Sequence, residues 1–229
     1  MSHPNYPEQH EEKALPGFSE FRYFTRAGID IASMKDFGYK ADCRPKFNAF
    51  ARRFRLASSM QDVVFSGYGK NTSKGYSALN RHFLMFSAFE RYALDCEGIE
   101  PGAYDRALQY VAEARFAEIK EAFDTVDTND VVFDFLLENT QSSIQKRSLK
   151  DFRAGISKRN GIYISAMLRN SFVHGNLSVN LSGAEHGAID MLANFMTSFL
   201  YNAICEDFSK RLEGVRYMIS ETLIEKENE

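Results

Sequence analysis

In NGIYISAMLRNSFVHGN, residues 160–176, an apolar run gives way to Arg169, Asn170 and His174 and stops at Gly175. That order predicts a helix whose last turn carries the polar side chains, with glycine in the left-handed position that follows a helix end. Five helical steps of about 100° place His174 about 140° round from Arg169, so the two do not share a face of a continued helix. They border one cleft if the helix is already unwinding at His174 and the long arginine side chain reaches across.

Working outward, the flanking sequence also reads as helix. After a short polar loop, NLSVNLSG, a long helix is expected over 184–214. There Ile189, Leu192, Phe195, Met196, Phe199, Leu200, Ala203, Ile204, Phe208 and Leu212 form a wide apolar stripe. Such a stripe suits a central bundle helix or a dimer contact. Upstream, 77–96 carries Leu79, Phe83, Phe86 and Phe89 at three- and four-residue steps and is stopped by Gly98. Phe47, Phe50, Ala51 and Phe54 do the same over 43–60, where Pro45 suits the first turn. Shorter helices are expected over 101–123, 129–138 and 148–159, with Asp130 and Ser148 near their starts. The glycine-rich SGYGKNTSKG, 66–75, lacks the spacing of a phosphate loop and reads as a flexible connector. The expected fold is all-α: an up-down helical bundle over 41–229 with a long C-terminal helix. An irregular, aromatic arm over 1–40, its tip disordered, precedes it.

With 229 residues, 44% of them apolar, the chain can bury a sizeable core. Cys43, Cys96 and Cys205 lie far apart without a C-x-x-C pair, which fits reduced thiols in a cytoplasmic protein. His3 and His10 read as solvated tail residues, and neither a metal nor another cofactor is expected. The opening MSHPNYPEQHEEK lacks the apolar core of a signal peptide. The most apolar segment, 188–205, is interrupted by Asp190, Asn194 and Asn202, so no membrane span is expected. Zinc-protease, nucleophile-elbow and dinucleotide-binding motifs are missing, which leaves phosphodiester cleavage or no chemistry.

Charge sharpens that choice. Between 146 and 174, Lys146, Arg147, Lys150, Arg153, Lys158, Arg159 and Arg169 face a single acid, Asp151, in a chain whose formal charge is −3. A positive field beside Arg169 and His174 would steer a polyanion there, if the acidic remainder lies elsewhere. A second basic set, Lys46, Arg52, Arg53 and Arg55, occupies the polar faces of the 43–60 helix; it reads as a solvated face or a phosphate-contacting one. Glu90 lies one residue from the apolar stripe of its helix. Buried, it would need a cation such as Arg169; exposed, it would pair with Arg91 or another surface partner, the plainer reading. His186, across the short loop from His174, is a candidate second titratable group in the same cleft, or a surface histidine.

The run from Arg169 to His174 resembles the R-x(4 to 6)-H signature of HEPN domains, all-helical and usually dimeric proteins that are often metal-independent ribonucleases. The family also has a polar residue after the arginine, a small one after the histidine, and an acidic residue in an earlier helix, to which Glu90 loosely corresponds. The resemblance implies an RNA endonuclease, acting in a toxin or phage-defence setting, with Arg169, Asn170 and His174 catalytic and Glu90 and His186 supporting. Lys146, Arg147, Lys150, Arg153, Lys158 and Arg159 would contact RNA. Imidazole can take the 2′-hydroxyl proton, a guanidinium can hold the charge of the phosphorane, and Asn170 would orient the phosphate or the histidine. One well-placed histidine per chain is too few for both proton transfers, so a homodimer is implied. The chain departs from HEPN toxins that carry a tyrosine two residues after the histidine, since Asn176 stands there. The alternatives are a non-catalytic helical module that binds nucleic acid or a protein partner, such as an antitoxin or defence component, and a purely structural role for Arg169 and His174.

Overall fold

In a computed structural model the described residues are 15–26 and 31–227, with side chains described as far as 221. His3, His10 and the expected disordered tip lie outside them. The described residues form helices joined by loops, with no strand: α1 (Phe18–Phe24), α2 (Arg44–Ser59), α3 (Lys70–Arg91), α4 (Glu113–Val126), α5 (Val131–Asn139), α6 (Ser143–Arg153), α7 (Ile162–Val173) and α8 (Ala188–Glu227). The all-α expectation holds, and several boundaries move.

The α3 helix begins seven residues earlier than expected, so half of SGYGKNTSKG is helix rather than connector. Weak helix formers are tolerated there because a tertiary contact overrides propensity. Gly75 is buried against Val179 from the loop after α7, and a Cβ on it would meet Val179 at 2.8 Å. At its other end α3 widens into a π-helical turn, Tyr92–Glu97, before Gly98. His82, not the expected Phe83, takes the core position between Leu79 and Phe86.

The helix expected over 101–123 starts only at Glu113, preceded by a single 3-10 turn, Tyr104–Arg106. Further along the chain the capping residues lie upstream of those expected. Asp127 caps α5 by accepting from the backbone of Val132 and Phe133 at 2.9 and 2.8 Å, whereas Asp130 does not cap it. Ser142 caps α6, and Ser148 lies inside that helix. The last helix starts at Ala188 and, at 40 residues, is about 60 Å long. It packs along α3 and, through its middle, on α4, burying the expected stripe from Ile189 to Leu212 apart from the partly buried Phe195.

The arm holds one short helix, and its Phe21, Phe37 and Tyr39 rings are core. Phe21 stacks on Phe47 of α2 with centroids 4.4 Å apart and meets Phe37 and Phe208 edge-on. Beside them lies a buried ionic cluster. Arg211 of α8 donates to Asp207 at 2.7 Å, to Glu97 at 2.5 Å, and to the Phe37 and Gly38 carbonyls at 3.1 Å. Tyr92 donates to Asp207 at 2.6 Å and shares a 2.7 Å hydrogen bond with Tyr39. All three charged side chains are at most 2% exposed. Burial first, then the Asp207 charge, pushes the Glu97 carboxyl up to about 7, against the pull of Arg211. Removing the shared cation strands two carboxylates in the core. Arg211→Leu should therefore lower stability by about 3–5 kcal/mol, and Glu97→Gln, which relieves the repulsion, by clearly less. Chemical melts of both variants check the order; an Arg211→Leu protein as stable as the parent would contradict it.

Candidate functional site

From Ile162 to Leu168 every residue of α7 is buried, as expected for a helix apolar on all faces. The helix meets solvent only at its last turn. There Arg169 and Asn170 are half-buried, Val173 is 54% exposed, and His174 is an exposed cap residue. Gly175, at φ +75°, supplies the left-handed stop. Its N–H reaches the Phe172 carbonyl at 3.0 Å and that of Asn176 reaches Ser171 at 2.9 Å, the paired bonds of a Schellman end. The predicted helix end is therefore in place, with His174 at the point of unwinding.

Arg169 crosses to α3. Its guanidinium lies 5.7 Å over the Phe86 ring, donates to Glu90 at 3.5 Å, and is held from the other side by the Asn170 side-chain oxygen at 2.7 Å. Glu90 also accepts from the Tyr104 hydroxyl at 2.7 Å. Glu90 is thus partnered by Arg169 rather than by Arg91, which pairs with Asp95 at 2.6 Å. Asn170 holds the arginine, a contact additional to its expected role of orienting the phosphate or the histidine. The His174 ring makes no hydrogen bond among the described residues, and none joins it to Arg169.

The α3–α7 seam carries a cost. Five buried side-chain polar atoms have no hydrogen-bond partner among the described residues. Three of them, on Ser165, Arg169 and Ser171, belong to α7, and a fourth is Nδ1 of His82, which faces it. Such atoms each cost about 1–3 kcal/mol, and their concentration on one helix marks where stability has been given up. His82, Phe86 and Glu90 follow one another at four-residue steps along α3, a pattern that could have signalled the seam in advance.

Other expected members are placed elsewhere. His186 lines a recess of about 300 Å³ with Lys74, Gly75, Val179, Asn180 and Asp190, and none of Arg169, Asn170 or His174 borders it. Gly75 precedes Glu90 by fifteen residues, about 22 Å along a helix, so His186 and Arg169 sit near opposite ends of α3. Arg153 is spent on Asp124 and Asp130. Arg159 donates to the carbonyls of Asp105, Ala107, Leu108 and Val111, pairs with Glu113 at 3.1 Å, and stacks 4.3 Å over Phe116. These acids come from α4 and its flanking turns, so the acidic remainder does not lie elsewhere. Of the six expected RNA contacts, Arg147, Lys150 and Lys158 are exposed and Lys146 is partly so; Arg147 has only a 3.9 Å contact with Asp151.

Among the described residues no group of three or more His, Cys, Asp or Glu side chains is placed to hold a metal ion, and no helix is long and apolar enough to cross a membrane. No family model, curated protein or solved structure matches the chain.

The seam makes a pH prediction. His82 donates from Nε2 to the Ser165 carbonyl at 3.1 Å, and burial lowers its pKa to about 4. The unfolded value is about 6.5, above the folded one, so protonation favours unfolding. The contribution of neutral His82 is complete above pH of about 6.5 and is lost by up to about 3 kcal/mol as pH falls toward 4. Urea melts across that window should show the parent losing more stability than His82→Gln; parallel curves would contradict it.

Proposed function

We propose that the protein is a metal-independent endoribonuclease of HEPN type, cutting RNA by attack of a 2′-hydroxyl on the adjoining phosphate. The reading is carried by one arrangement: a guanidinium fixed from two sides by Glu90 and Asn170, at the same helix end as an exposed, unpartnered imidazole. Arg169 is pre-set to hold the extra negative charge of the phosphorane, and His174 is open to take the 2′-proton. As the O2′–P bond forms and the P–O5′ bond breaks, a second proton must reach the leaving oxygen. A partner's copy of the motif would supply it in a two-fold dimer, and the exposed Val173 beside His174 supports a contact between copies there. Lys146, Arg147, Lys150 and Lys158 remain for RNA contact; a cytoplasmic toxin or phage-defence role follows from the same reading.

A second reading has its own support. Arg169 also ties α7 to α3 through Phe86 and Glu90, and Arg153 and Arg159 are committed inside the fold. Both facts favour a non-catalytic helical module that binds nucleic acid or a protein partner.

Incubating the protein with end-labelled cellular RNA and tRNA in excess EDTA separates the two. The parent should cleave RNA to products ending in a cyclic phosphate and leave DNA intact, with a bell-shaped dependence of rate on pH. His174→Ala should abolish cleavage without changing the melting temperature. Arg169→Ala should abolish it at a stability cost of about 1 kcal/mol, as for a half-exposed ion pair. Intact RNA in every sample, or cleavage by His174→Ala, would remove the nuclease reading.

A further inference from the structure

Arginines of this chain are, for the most part, tied to partners: Arg81 to Asp62, Arg91 to Asp95, Arg115 to Glu118, Arg216 to Glu20. One region differs. Two recesses of about 680 and 590 Å³ lie between α1 and α2 and share Phe18, Arg22 and Asn48, so they adjoin. Arg26 and Arg44 line the first, and Arg52 and Arg55 the second; among the described residues no aspartate or glutamate lines either. Arg22, Arg26, Arg52 and Arg55 are exposed and make no hydrogen bond or ion pair among the described residues. The nearest acid on α1, Glu20, is turned away to Arg216 of α8. Tyr23, 56% exposed, stands in the wall of the first recess.

We infer that this groove is a docking site for single-stranded nucleic acid, separate from the α7 motif. Unpaired guanidiniums on both walls, with no acid between them, make a path for successive phosphates, and each phosphate neutralised releases condensed counterions. An exposed aromatic ring beside them offers a stacking surface that any base can use. Each recess has the volume of a small-ligand site, enough for a nucleotide rather than a duplex. A concave, aromatic-lined groove fits a strand better than it fits the flat face of an anionic bilayer. Ribose and deoxyribose are not distinguished by these contacts, so the shared chemistry is the single-stranded phosphate backbone with an unstacked base.

The test is fluorescence anisotropy with a 5′-labelled oligonucleotide of about 12 nucleotides, a length within the range covered by single-strand grooves. The His174→Ala chain is used throughout, so that binding is read without cleavage and failure of the nuclease reading does not affect the result. Oligo(U) and oligo(dT) should both bind. With four phosphates engaged, affinity should fall about 50-fold between roughly 50 and 200 mM salt. The triple variant Arg22→Ala/Arg52→Ala/Arg55→Ala should lose at least tenfold in affinity, and Tyr23→Ala about fivefold or more. Arg91→Ala, which removes an exposed arginine away from the groove, should bind as the parent does. Circular dichroism and thermal melts confirm that each variant is folded. No binding to either strand, binding unchanged in the triple variant, or binding to phosphatidylserine vesicles in place of oligonucleotides would each overturn the proposal.

Discussion

The buried guanidinium of Arg211 is the constraint on which the rest of the structure depends. It lies between the rings of Tyr39 and Tyr110, 4.7 Å from each centroid, and joins the arm, the π-turn after α3, and α8 in one core. A buried cation is tolerated only when its donors are matched, and here they are met by Asp207, Glu97 and two backbone carbonyls. Burial, and then the excess negative charge of two carboxylates against one guanidinium, pushes Glu97 up to about 7, so that it can shed its charge by taking a proton. The arrangement sets where the chain must pass. The carbonyls of Phe37 and Gly38 have to approach the guanidinium, so the arm cannot drift from the bundle without leaving a buried N–H donor of Arg211 unmatched.

The same cluster explains why the stretch before α4 is not helical. Apart from local turns such as the Val111 N–H on the Leu108 carbonyl, several backbone groups of residues 105–112 bond to charged side chains from distant elements. Leu108 donates to Glu97 and Tyr110 to Asp207, while Lys210 donates to the Tyr110 carbonyl. From the opposite side Arg159 collects four carbonyls. With donors and acceptors already satisfied, a helix over these residues would gain little. At the start of this segment Tyr104 donates to Glu90, the carboxylate that holds Arg169. The segment 104–110 is thereby anchored to both the core cluster, through Leu108 and Tyr110, and the end of α7, through Tyr104 and Glu90.

What was legible in the sequence follows from where the determinants lie. Apolar spacing and the Gly175 stop are local, and they correctly indicated α2, α7, the stripe of α8 and the all-helical class. The 101–123 segment misleads because Leu108 and Val111 keep a helical spacing while their carbonyls accept from Arg159, about 50 positions away. Arg153 and Arg159 looked like free cations because a count along the chain does not see Asp124 or Glu113 arriving from α4. Glu90 was weighed against both Arg91 and Arg169, and only the crossing of α3 with α7 decides between them. His82 was passed over because a buried histidine reads as one more polar residue until Ser165 is seen to accept its proton.

Redistribution of the basic residues changes how the surface is to be understood. Counted in sequence, positive charge concentrates between 146 and 174, beside His174. In three dimensions part of that charge is cancelled by acids from α4 and the turns flanking it, and four exposed arginines with no partner among the described residues, Arg22, Arg26, Arg52 and Arg55, gather instead between α1 and α2. A screened field extends only about 8–10 Å at moderate salt, so the first polyanion contact is governed by the arginines that keep their charge exposed, not by those used as internal clamps. If RNA is cut at α7, the groove formed by α1 and α2 would act as a holding surface, and the motif would act on whatever length of strand reaches it. Affinity and chemistry would then be divided between two surfaces. A division of that kind lets Arg169 remain paired with Glu90, because the arginine has only to hold charge as it develops and need not attract the strand.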